Sequence, residues 1–175
     1  LSRREILCGY AEILKHAIIK DKKFFAWLSK NSNEILQLKN DKLLISAITK
    51  SCKVKRHFIL KDTHENNLRM QLNFGHTFAH SLEALHGFSK KLNHGEAVLI
   101  GMLLATKLSM IKKVCNIKEA NKIFDHYKNQ KINFNLKNFV PKNKMNKIIS
   151  LMINDKKNND NKINFILLKK IGKTT

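Results

Sequence analysis

The sequence predicts a mainly α domain with a small β element near its end, and three observations carry that prediction. Apolar residues recur at helical spacing through most of the chain. Cap-type residues punctuate those runs, from Ser2 at the start to the His86-Gly87 pair that closes the central one. Only Asn161 to Leu168, reading NKINFILL, has the composition of a strand. The 175 residues suffice for one helical domain with a real core, residues 1–175, and are too few for two ordinary ones.

In chain order, Ser2 to Trp27 reads as one helical segment, with Leu7, Tyr10, Ala11, Leu14, Ala17 and Ile18 at helical spacing and Ser2 as its N-cap. Gly9 and Ala11 flank Glu12 and leave room for another element to approach it. Asn31 to Asp41 is a loop or short helix. Lys42 to Leu60 is a second long helix, expected to point Leu44, Ile45, Ile48, Cys52, Val54 and Phe58 inward. Asp62 to Asn67 is a polar turn without periodicity. Leu68 to Leu85 reads as a helix, and His94 to about Lys112, apolar nearly all round, as the core helix. Two further helices, Ile117 to Asn129 and Lys142 to Ile153, flank a turn marked by Pro141; a charged, Asn-rich loop follows from Asp155 to Asp160.

Composition bounds the function. The net charge of +21 comes from 34 basic against 13 acidic residues, but the lysines are spread along the chain beside Asn and Ile. That pattern reads as a solvated basic surface suited to an anionic substrate, with no nucleic-acid footprint; a basic nucleic-acid-binding helical domain is the alternative from another class. Cys8, Cys52 and Cys115 are widely spaced and odd in number, which gives neither a disulfide framework nor a zinc ribbon and points to a reducing, cytoplasmic setting. The longest uncharged apolar run, Ala97 to Thr106, is half a membrane span, so no membrane is expected. The chain opens on Leu1 with no secretory signal, and is expected to be part of something longer. It has no Gly-rich phosphate loop and no GxGxxG, so a nucleotide cofactor would be bound mainly elsewhere.

The chemistry concentrates between Arg69 and Met102. Arg69, Asn73, His76 and His80 follow at intervals of 4, 3 and 4, which on a helix places four polar side chains on one stripe of an otherwise apolar element. Such a stripe is costly to bury unless it meets a ligand, a metal or itself. His94-Gly95-Glu96 then opens the core helix with another imidazole, Glu96 reading as a first-turn carboxylate favoured by the helix dipole. His76 and His80 could chelate as an i, i+4 pair; His94 and Glu12 add a third imidazole and a carboxylate, a donor set suited to a divalent cation. Lys15, Lys55 and Arg69, with Lys156 or Lys157, supply cations for a carboxylate or phosphate.

These residues form a recognisable series. GYAEILKH, the spacing from Lys55 to Arg69, RMQLNFGHTFAH, LNHGEAVLIGM and MINDKKN occur in this order over about Ser2 to Lys173, and the chain resembles the C-terminal domain of 3-dehydroquinate synthase. The resemblance implies the multi-helical C-terminal domain of the dehydroquinate synthase-like fold, with an N-terminal Rossmann-like, NAD-binding domain absent from this chain. It implies zinc or cobalt on Glu12, His76 and His94. Lys15, Lys55, Arg69, Asn73 and Lys156 would contact 3-deoxy-D-arabino-heptulosonate 7-phosphate, with His80 near its reacting part, so that His80 becomes a substrate residue rather than a ligand. Lys15 and His80 are the residues it places closest to the chemistry. The implied reaction yields 3-dehydroquinate and phosphate in aromatic amino acid biosynthesis, by an enzyme that is commonly a homodimer. A related sugar-phosphate cyclase such as 2-deoxy-scyllo-inosose synthase is the alternative within enzymes.

Overall fold

A computed structural model describes residues 1–65, 67–154 and 163–175. Helix α1, Arg3–Lys20, starts where expected: the Ser2 N–H donates to Glu5 and the Glu5 N–H to Ser2 Oγ, a reciprocal cap. It does not run on to Trp27. Asp21 adopts an extended conformation, ends α1 and caps α2, Lys22–Leu36, by accepting the Phe24 N–H at 2.9 Å. A short acceptor side chain that favours caps over helix interiors explains the break. The segment after Asn31, expected to be a loop or short helix, is therefore still α2 as far as Leu36.

Helix α3, Asp41–Lys61, has the expected extent and turns Leu44, Val54 and Phe58 inward as expected, but not Ile45, Ile48 or Cys52. Ala47, Ser51, Val54 and Phe58 are buried, whereas Ile45 is 62 % and Ile48 46 % exposed and Cys52 is also on the surface. Small Ala47 and hydroxylic Ser51 face α1, where Ser51 Oγ lies 2.7 Å from His16 Nδ1. A polar contact thus shares the inward face of this helix with Ala47, Val54 and Phe58.

The expected helix from Leu68 to Leu85 is two elements. Arg69–Asn73 is a 3-10 turn, Phe74 and Gly75 break the run, and α4 spans His76–Leu85. Gly75 has φ +82°, and a Cβ there would lie 2.6 Å from the Met102 amide nitrogen; at Gly101 it would lie 2.1 Å from the Gly75 carbonyl oxygen. Backbone packs on backbone here, which only paired glycines allow. The break thus seats the start of α4 directly on α5, His94–Ile111.

Helix α5 is the core. Its apolar length would suffice to cross a membrane, but α1, α4 and α6, Ile117–Asn129, bury most of it. A further short helix, α7 (Leu136–Phe139), precedes a 3-10 turn at Lys142–Lys144 and α8, Met145–Ile153, which packs on α4. The loop expected at 155–160 and the first two residues of the strand expected at 161–168 lie outside the described residues; of the rest of that strand only its last residue is in β1, Leu168–Lys170, which pairs antiparallel with β2, Lys173–Thr174. Residues 163–167 lack regular structure and lie on α4, where Phe165 meets Phe78 and the Asn164 carbonyl accepts from Thr77. The Ile18 carbonyl at the end of α1 accepts the Gly172 N–H of the hairpin turn at 2.7 Å.

Candidate metal and substrate site

Glu12, Lys15 and His16 lie on the α1 turn that faces the junction of α4 and α5. His76 is the first residue of α4 and His94 the first of α5. One ligand atom from each of Glu12, His76 and His94 falls within 4.8 Å of the other two, with Glu12 Oε1 4.0 Å from His76 Nε2. The His76 Nδ1 lies 3.4 Å from the Phe74 carbonyl, which can only accept, so Nδ1 carries the proton and Nε2 presents its lone pair toward Glu12. Among the described residues this is the one group of three metal-ligand types so placed. His80 stands edge-on to His76, 5.5 Å between ring centres, outside the three.

A cavity of about 360 Å³ opens over this group. Its walls include Glu12, Lys15, Lys55, Arg69, Asn73, His76, His80 and His94, all the site residues expected from the sequence except Lys156, which with Lys157 lies outside the described residues. The break at Gly75 therefore does not scatter the polar stripe. A 3-10 turn and a helix start deliver the same side chains to one space.

The electrostatics are those of a pocket in which Lys15, Lys55 and Arg69 face two carboxylates, Glu12 and Glu65. Lys15, only 3 % exposed, donates from Nζ to both oxygens of Glu12 at 3.0 and 2.8 Å. Burial pushes the Glu12 carboxyl up, but the Lys15 charge and hydrogen bonds, with His76 and His16, outweigh it and leave it below the usual range. Burial and the Lys15 charge push His76 down to about 3 and His16 to about 4, so both rings are neutral at physiological pH. A neutral imidazole is the form a metal needs.

With this geometry in place, residues 9–158 match the model of the 3-dehydroquinate synthase C-terminal family. The chain belongs to that family. A 3-dehydroquinate synthase of Pelagibacter ubique is 45 % identical over 172 residues, covering 98 % of this chain and 46 % of the relative. Another, from Prochlorococcus marinus, is 38 % identical over 177 residues with the same coverage. The chain thus spans about half the length of the curated relatives it matches. Two solved structures share the fold. One is the 2-epi-5-epi-valiolone synthase of Streptomyces hygroscopicus with NAD+ and Zn2+ bound, with TM-score 0.81, 23 % identity, and coverage of 100 % of this chain and 47 % of that one. The other is a 2-deoxy-scyllo-inosose synthase complexed with carbaglucose-6-phosphate, NAD+ and Co2+, with TM-score 0.80, 20 % identity and the same coverage.

Several members of this candidate site escape sequence reasoning. Glu65, inside the supposedly featureless turn, accepts from Asn73 Nδ2 at 2.8 Å and has an oxygen 3.9 Å from Arg69 Nε. The Asp62 carboxylate accepts the backbone N–H of Arg69, while Arg69 Nη1 donates to the Thr63 carbonyl. No periodicity announces residues that act from a turn. Glu83 approaches His94, and its signal was present: His76, His80 and Glu83 follow at i, i+4 and i+7. Two further readings change. Gly9 has nothing within 4 Å of a Cβ position; the close approach is at Gly95, where a Cβ would lie 2.2 Å from Cys8 Cα. Glu96, besides capping Asn93, is gripped by Arg4 Nε at 2.7 Å and Nη2 at 2.6 Å, so it braces α1 against α5.

Proposed function

We propose that this chain is the metal- and substrate-binding half of a 3-dehydroquinate synthase. The whole enzyme would convert 3-deoxy-D-arabino-heptulosonate 7-phosphate to 3-dehydroquinate and phosphate, using NAD and a divalent ion. One observation carries the reading: a carboxylate and two imidazoles from three separate elements converge within 4.8 Å, in a cavity that Lys15, Lys55 and Arg69 also line. The donor set fits zinc or cobalt. Ligand atoms around a tetrahedral zinc stand about 3.3 Å apart for bonds of about 2.0–2.1 Å, so inward movements on the order of 1 Å suffice. When bound, the ion supplies Lewis-acid polarisation of the substrate, and NAD supplies a reversible hydride acceptor.

The chain's own residues bind and orient. Lys15 offsets the Glu12 charge, so an anionic substrate meets a site that is not net negative. Lys55, Arg69 and Lys156 would hold the anionic ends, and Asn73, oriented by Glu65, would accept or donate to a hydroxyl. His80, beside His76 in the cavity, would face the reacting carbons, and with Lys15 is the group nearest the chemistry. The nucleotide would be held by an N-terminal Rossmann-like domain beyond these residues, in a homodimeric, cytoplasmic enzyme.

The identities of 38–45 % to 3-dehydroquinate synthases, against 20–23 % to the two cyclases, favour this substrate over those of related cyclases. Turnover of the heptulosonate phosphate by the protein joined to its nucleotide-binding half, with loss of turnover in His94→Ala, is the expected result. Turnover of glucose 6-phosphate instead would move the assignment to 2-deoxy-scyllo-inosose synthase. Duplex binding that survives Glu12→Ala and His94→Ala with a steep salt slope would move it to nucleic acid. The 175 residues alone are expected to give no turnover with NAD and substrate.

A further inference from the structure

We propose that Glu83 is the positioning residue for His94, its carboxylate holding the proton on Nδ1 of that ring and so turning Nε2 toward Glu12 and His76. The inference rests on the metal reading above. Both Glu83 oxygens lie 3.1 Å from His94 Nδ1. An ionised carboxylate only accepts, so Nδ1 must be the protonated nitrogen and the remaining lone pair is on Nε2. Such a constraint is needed here, because the His94 side chain is 52 % exposed while that of Glu83 is 13 % exposed. An imidazole half in water at the first turn of a helix has little packing to fix its rotamer.

The two backbones that make this contact are fixed independently. At the end of α4 the Phe88 N–H donates to the Glu83 carbonyl at 2.8 Å and the Gly87 N–H to the Ala84 carbonyl at 3.1 Å, a double closure of the last turn. At the start of α5, Glu96 accepts from the Asn93 N–H and is clamped by Arg4. Each of the two imidazoles proposed as ligands thus has its own acceptor on Nδ1, the Phe74 carbonyl for His76 and Glu83 for His94. Partners of this kind fix the tautomer and raise the basicity of the ligating nitrogen. A plain surface ion pair between Glu83 and a protonated His94 would instead be indifferent to the metal.

The test is Zn2+ affinity, by competition with a chromophoric chelator, and the visible absorption of the Co2+ form. Both are measured on the purified protein and on Glu83→Ala, Glu83→Gln, His94→Ala and the Glu83→Ala/His94→Ala pair. Glu83→Ala is expected to weaken Zn2+ binding roughly 10- to 100-fold and to shift the Co2+ band. Glu83→Gln keeps an acceptor oxygen but not the charge, and is expected to fall between. In the double variant the Glu83 effect is expected to vanish, because its target ring is gone. Thermal unfolding of the metal-free proteins guards against misfolding, and Glu83→Gln decides the matter if Glu83→Ala does not fold. Wild-type affinity and an unchanged Co2+ spectrum in both Glu83 variants, with His94→Ala still weakened, would overturn this inference alone. Zn2+ binding indifferent to Glu12, His76 and His94 would overturn the metal reading with it.

Discussion

His76, mostly buried, and His126, fully so, are imidazoles held neutral far below their ordinary range, to about 3 and about 4, with burial the first cause in each case. Their surroundings differ. Both nitrogens of His126 meet hydroxyls, Tyr10 at 2.8 Å and Ser29 at 3.0 Å, and its ring stacks on Tyr10 beside Phe25. His76 meets a backbone carbonyl on one side and, on the other, directs a lone pair across 4.0 Å to a carboxylate that a buried lysine also holds. The first arrangement is complete with hydroxyls alone. The second gathers a second imidazole, a carboxylate and cations on the wall of a cavity. Burial and a depressed pKa therefore do not distinguish a structural histidine from a proposed ligand; what the second nitrogen faces does.

The sharpest way to break this contrast is to truncate both sides. Glu12→Ala and His76→Ala are expected to lower Zn2+ affinity by more than about 100-fold, beyond what loss of an outer partner costs. His126→Ala should leave that affinity within about twofold and cost about 2–4 kcal/mol of stability through the cavity and the hydrogen bonds that the Tyr10 and Ser29 hydroxyls lose. Equal effects on metal binding would erase the distinction.

The contrast also has a pH signature. His126 takes up its proton near pH 4 in the folded protein and at about 6.5 when unfolded. Its contribution is thus fully present above about 6.5 and is lost as pH falls toward 4, at about 1.4 kcal/mol per pH unit and up to about 3 kcal/mol in all. Urea midpoints between pH 6.5 and 4.5 should fall less steeply in His126→Phe, by about one proton's worth of slope. An unchanged slope would show that this ring does not titrate as described.

Smaller effects test the backbone that places the site. Gly101→Ala puts a Cβ 2.1 Å from the Gly75 carbonyl oxygen and is expected to cost about 1–3 kcal/mol, lowering Zn2+ affinity as His76 is displaced. Gly9→Ala, in open space within α1, should stabilise by about 0.5–1 kcal/mol and leave the metal untouched. Thermal unfolding and chelator competition on the pair would read both effects.

The same contrast explains what was legible in the sequence. Helices α5 and α6 could be drawn nearly to the residue, because an uninterrupted apolar run and apolar residues at helical spacing are local signals. The convergence of Arg69, Asn73, His76 and His80 was also legible, although the continuous helix assumed for it was not what delivered it. Gly75 could have been read as a breaker, but its reason, the fit against Gly101, is tertiary. The inward face of α3 was legible only in part, because Ser51 on it meets His16, a pairing between residues 35 apart that no window sees. Glu65 and Arg4 act from a turn and across a helix junction, where spacing carries no information.

The account stands most directly on one measurement: anomalous scattering from crystals of the protein grown with Zn2+. A single strong peak is predicted about 2.0–2.2 Å from a Glu12 oxygen and a nitrogen each of His76 and His94. No peak between these three residues, at full zinc loading, would contradict it.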